Sequence, residues 1–133
     1  MTARAPMTLP SRQEQAFPTL TPEQIARVAA HGNKRSVAAG DVLFEAGHPG
    51  ASFFLVTNGQ LDVVSAADEV LIATHKPGEF SGEVSLLAGR PGLVTVRAVQ
   101  ASEIIELTRD ALLALVQTDS ELGEIFMRAF ILR

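Results

Sequence analysis

The sequence predicts a mainly β domain with flanking helices: an antiparallel jelly-roll (double-stranded β-helix) barrel with one N-terminal helix, a short internal helix and two C-terminal helices. Three observations carry that expectation. From Asn33 onward the chain reads as short apolar runs punctuated by Gly40, Gly47, Gly50, Gly59, Gly78, Gly82, Gly89 and Gly92, the texture of a sandwich or barrel. Asn58-Gly59, between Phe53–Thr57 and Gln60–Ser65, is the strongest hairpin signal, because a type I′ turn needs positive φ at both central residues. On either side of this stretch the apolar period becomes helical and capping residues appear.

Composition bounds the rest. A chain of 133 residues holds one domain with a modest core. A hydrophobic content of 47% is high for that size and suggests that some apolar surface meets a partner. A net charge of −4 argues against nucleic acid, which selects a basic patch. The absence of cysteine rules out a disulfide framework, a thiolate metal site and thiol redox chemistry in this chain. No apolar run approaches the roughly 18 residues of a membrane span. The first residues lack the apolar segment of a signal peptide, so a cytoplasmic location is expected.

Taken in order, residues 1–16 are polar, carry two prolines and lack periodicity; they are assigned to a flexible N-terminal tail, and 17–133 to the domain. Thr21 can cap a helix, Pro22 suits its first position, Gln24 completes a capping box, and Leu20 and Ile25 stand where a hydrophobic staple closes. Ile25, Val28 and Ala29 share one face, and Gly32 stops the helix. Val42-Leu43-Phe44 and Phe53–Val56 are strand-like. A second hairpin turns at Ala66-Ala67-Asp68 and returns through Val70–Ala73, and Leu93–Ala98 and Glu103–Leu107 complete the barrel.

Thr108 caps a helix carrying Leu112, Leu113, Leu115 and Val116. Thr118 and Glu121 form a further capping box before Leu122, Ile125, Phe126 and Ala129. Met127, Phe130 and Ile131 then exceed what one buried stripe needs, and neither glycine nor proline terminates the helix. Phe126 to Leu132 is therefore expected to form a homodimer contact or to dock on a C-terminal catalytic domain.

The stretch from Lys76 to Ala98 organises the chain. A Pro77-Gly78 turn leads into Glu79-Phe80-Ser81, then Gly82-Glu83 opens one or two turns of helix, Val84 to Ala88. Gly89 and Pro91-Gly92 break it before the next strand. A short helix with glycine at its first turn points bare N–H groups, here those of Val84 and Ser85, at an anion. Glu83 beside them offers a carboxylate to hydroxyls; alternatively it complements the helix end and pairs with Arg90 or Arg97.

Here the chain resembles the phosphate-binding cassette of cyclic nucleotide-binding domains, as in the catabolite activator protein and the kinase regulatory subunits. Phe80, Gly82, Glu83, Leu86, Leu87, Pro91, Thr95 and Val96 fall on that pattern in register, while Gly92 stands where the family places the arginine that grips the cyclic phosphate. Gly40-Asp41, Phe44-Glu45-Ala46-Gly47 and Asn58-Gly59 also look like that family's barrel turns. The resemblance implies a regulatory domain whose ligand sits under the C-terminal helix, with Gly82, Glu83, Val84, Ser85, Arg90 and Thr95 as ligand-binding residues. The implied ligand is a cyclic nucleotide (cAMP or cGMP), bound weakly for want of the arginine, or another small anionic, phosphate-bearing molecule. Arg90, two residues before the missing arginine, is a candidate substitute; the alternative is a solvent-exposed loop residue. The two ends, PTLTPEQIARVAAHG and ALVQTDSELGEIFMRAFILR, are similar to the N-terminal domain of bacterial thioredoxin-reductase-like flavoproteins, which implies an oxidoreductase part following Arg133.

His31, His48 and His75 match no metal spacing and are read as loop residues, and no P-loop, GxGxxG, nucleophile elbow or HExxH is found. The chain itself is thus expected to be non-enzymatic, without metal or resident cofactor. The alternative function is a ligand-free interaction or dimerisation module on the same fold.

Overall fold

A computed structural model describes residues 11–45, 47, 52–65, 67–82 and 94–133. These form α1 (Arg12–Ala16), α2 (Pro22–Ala29), β1 (Asn33–Val37), β2 (Val42–Phe44), β3 (Phe53–Asn58), β4 (Leu61–Ser65), β5 (Leu71–His75), β6 (Phe80–Ser81), β7 (Val94–Ala98), β8 (Ser102–Leu107), α3 (Arg109–Thr118) and α4 (Ser120–Leu132). The expected short internal helix lies outside the described residues.

The strands pair antiparallel in two four-stranded sheets, ordered β1-β8-β3-β6 and β2-β7-β4-β5. Phe54, Val56 and Ile104 of the first sheet pack with Leu61, Val63, Val96 and Ala98 of the second and fill the barrel. The alternate residues of the first sheet, Phe53, Leu55, Ile105 and Leu107, turn outward and meet Val28, Leu112, Leu115, Leu122 and Phe126 of the helices. This two-sided burial explains why β3 opens with four consecutive buried apolar residues where a half-exposed strand would alternate. The result is the expected jelly roll with helices before and after it.

The N-terminal cap of α2 follows the sequence closely. Thr21 Oγ1 accepts from Gln24 N at 3.2 Å, Gln24 Oε1 accepts from Thr21 N at 2.9 Å, and Leu20 and Ile25 both join the core. Gly32 does follow the helix, but packing explains it better than backbone conformation. A Cβ there would lie 2.5 Å from Leu107 Cδ1 and 2.7 Å from Ile105 Cγ2.

Four expectations are corrected. Asn58-Gly59 joins no hairpin, because β3 and β4 belong to different sheets. Of the two residues of this dipeptide only Gly59 has positive φ, at 95°; Glu69 is the only non-glycine residue in that region among those described. The dipeptide instead turns the corner between sheets, where Ser102 Oγ accepts from Gln60 N and donates to Gln100 O. The cap of α4 is Asp119, whose carboxylate accepts from Leu122 N, while Thr118 still belongs to α3 and donates to Ala114 O. Part of the presumed tail, Arg12–Ala16, is helical: Ser11 caps it and Ala16 is buried. Finally, His75 is no loop residue; it ends β5 and is buried. The hairpin between β4 and β5 does form, with Ser65 N donating to Val70 O.

Candidate functional site

The described part of the site is the end of the barrel where β6 leads into Gly82. Phe80 stands opposite Leu55 and faces the helices; Ser81 stands opposite Phe54 and faces the barrel interior. Gly82 has φ +101°, and a Cβ on it would fall 2.3 Å from Ser52 O. Glycine is therefore demanded here twice, by conformation and by the close approach of the chain entering β3.

Thr95 lies on β7 opposite Val64. Its neighbours Val94 and Val96 pack into the interior, so alternation turns Thr95 to the outer face, with Arg97 and Asp62. The structure does not bring the hydroxyl of Thr95 to the wall that carries Ser81. Glu83, Val84, Ser85, Arg90 and Gly92 lie outside the described residues.

Below this end of the barrel is an aromatic triangle. Phe53 and Phe80 have ring centroids 5.5 Å apart, Phe53 and Phe126 5.2 Å, and Phe80 and Phe126 4.9 Å, the last pair edge-on. Edge-on and tilted rings suit the quadrupoles of the π faces. Arg133 fastens α4 to the same strand: its guanidinium donates to Phe80 O at 3.1 Å and Ala16 O at 2.7 Å, and lies over the rings of Phe17 and Phe80. At the other end of α4, Arg27 of α2 is bidentate to Asp119 and also reaches Glu121 at 2.9 Å. Hydrogen bonds from Arg27 draw the Asp119 carboxyl below its ordinary value; Gln24 and Arg27 do the same for Glu121.

Three buried polar residues, His75, Ser81 and Ser102, lie outside the site residues that the sequence points to. His75, opposite Leu61, is held neutral because burial, aided by the Arg133 cation, lowers its pKa to about 4. Ser81 is 7% exposed. The alternation Phe80-Ser81 could have exposed the second: a polar residue in the inward position of a strand. Among the described residues there is no cluster of three or more metal-ligating side chains, and no helix long and apolar enough to cross a membrane.

The family model of the cyclic nucleotide-binding domain matches residues 34–119. The cAMP-dependent protein kinase regulatory subunit of Emericella nidulans is 28% identical over 92 residues, which cover 69% of this chain and 22% of that protein. The chain thus spans about a fifth of that relative's length. A structure reported for a cyclic-GMP-dependent signalling pathway that regulates bacterial phytopathogenesis superposes with a TM-score of 0.76 at 36% identity, over 86% of this chain and 94% of the other. The catabolite activator protein of Thermus thermophilus gives 0.67 at 26% identity, over 86% and 54%.

Proposed function

Because the chain belongs to the cyclic nucleotide-binding domain family, we propose that it is a regulatory domain that takes a cyclic nucleotide, or a related phosphate-bearing anion, where β6 runs into Gly82-Glu83. The observation that carries this reading is Gly82 itself, on the family's register, with a backbone that only glycine tolerates. The amides of Val84 and Ser85 would hold the anion and Glu83 a ribose hydroxyl. Gly92 lacks the side chain for the charged pair that the family uses. Losing a charge-assisted hydrogen bond costs roughly 1.5–3 kcal/mol, about ten- to a hundredfold in affinity.

Calorimetric titration with cAMP and cGMP tests this. Binding at tens of micromolar or weaker is expected, tightened by Gly92→Arg and weakened by Glu83→Gln. Nanomolar affinity in the unmodified chain would refute the account of Gly92, and no binding at millimolar nucleotide would refute the site.

A second reading has its own observation. Met127 and Ile131, one turn apart on α4, are 37% and 72% exposed. An apolar pair on that face supports use of the end of α4 as a homodimer contact or as a joint to a further domain. Sedimentation of the chain against an Ile131→Lys variant tests self-association. A monomer in both leaves the joint, and a longer chain with no added protection of α4 from hydrogen exchange removes that too. The oxidoreductase partner implied by the two ends rests on the sequence resemblance alone; none of the three similar proteins named above is described as an oxidoreductase.

A further inference from the structure

Among the described residues the interior wall of the barrel is apolar except at three buried positions, His75, Ser81 and Ser102, and Ser81 lies beside the proposed site. Ser81 is 7% exposed and its register partner Phe54 fixes its direction, into the barrel. Its hydroxyl has no hydrogen bond to any described residue. By contrast, Ser102, the other buried serine, is bonded to both Gln60 and Gln100. A hydroxyl buried without a partner opposes folding, and native structures rarely keep one unless something else satisfies it.

Its position says what that could be. Ser81 immediately precedes Gly82, whose positive φ turns the chain at the proposed ligand site. The register partner of Ser81, Phe54, belongs to the apolar cluster that fills the barrel with Val63 and Val96.

We propose that the Ser81 hydroxyl is a ligand contact, hydrogen-bonding the sugar-phosphate end of a bound nucleoside cyclic phosphate and thereby contributing to its affinity. This rests on the nucleotide reading above, with Ser81 added to it.

Titration of cAMP and 2′-deoxy-cAMP into the unmodified chain, Ser81→Ala, Ser81→Thr and Ser81→Val tests it, alongside thermal unfolding without ligand. Threonine and valine have the same shape and differ by the hydroxyl, so their comparison removes the effect of volume. Ser81→Ala and Ser81→Val are expected to bind cAMP about three- to tenfold more weakly than their hydroxyl-bearing counterparts, the range of one neutral hydrogen bond. If the contact is the 2′-hydroxyl, the 2′-deoxy nucleotide loses this difference; if it is phosphate, the difference stays. Without ligand, Ser81→Ala is expected to melt at the same temperature or higher. Equal cAMP affinity across the variants, or a lower melting temperature for Ser81→Ala, overturns the assignment and leaves the nucleotide reading intact. An unmodified chain that binds neither nucleotide overturns both.

Discussion

His75 makes the stability of this domain depend on pH in a definite way. Burial at the end of β5, with the Arg133 cation adding to it, lowers the pKa from the ordinary 6.5 to about 4. The unfolded chain takes up the proton near 6.5 and the folded chain only near 4. The unfolded state therefore binds more protons between those values, and stability rises with pH across that window. Above 6.5 the stability is fully present; as pH falls toward 4 it is lost, by about 3 kcal/mol at about 1.36 kcal/mol per pH unit. Between about pH 7 and about pH 5 the linkage gives a loss of about 2 kcal/mol.

Urea unfolding at those two values measures it, with His75→Leu as the reference, since leucine suits the same apolar wall and cannot titrate. Asp119 and Glu121 have lowered values and also lose stability on acidification, but only below the ordinary carboxylate range of about 4–4.5. Of these three groups only His75 titrates in the window above pH 5. The variant is expected to flatten the profile there. Parallel profiles for the two proteins would show that His75 is solvated in the folded state and that the reasoning is wrong.

Two further perturbations test the packing. Gly59→Ala places a Cβ 2.1 Å from Ser102 Oγ on a residue with φ +95°. Strain of about 1–2 kcal/mol and overpacking of about 1–3 kcal/mol are expected to appear as a lower urea midpoint with an unchanged slope. A loss under about 0.5 kcal/mol would mean that the corner is not rigid. Phe126→Ala opens the aromatic triangle and is expected to cost about 3–5 kcal/mol in the same assay. A cost near that of an exposed substitution would show that α4 is not held against β6.

The sequence made the helices legible because their signals are local. Thr21 and Gln24 cap each other across three residues, and no tertiary contact is needed to anticipate that. Local chemistry lets Thr118 and Asp119 both cap; what selects Asp119 is Arg27, 92 residues away, holding its carboxylate at the end of α2. The Asn58-Gly59 error has a similar cause. Local chemistry says that the chain turns there, but not whether the outgoing strand returns beside its predecessor or crosses to the facing sheet. Ser102 and the pairing of β3 with β8 make that choice. At the proposed site, Gly82 is readable from its register and Ser81 only as a polar residue in strand alternation, whereas the burial of His75 depends on long-range pairing with Leu61.

The short strand β6 is where these levels meet. It has two residues, and each serves a different layer: Phe80 enters the helical core and Ser81 the barrel. Its carbonyl at Phe80 also accepts from Arg133 at the end of α4. A displacement of residue 82 cannot be absorbed by sliding β6 alone. Moving Phe80 disturbs its edge-on contact with Phe126, 4.9 Å away, and interiors packed like crystals yield by switching arrangement more readily than by stretching. The site and the exposed apolar turn of α4 are therefore joined through one ring contact and one guanidinium, and Phe126→Ala tests the first of these links.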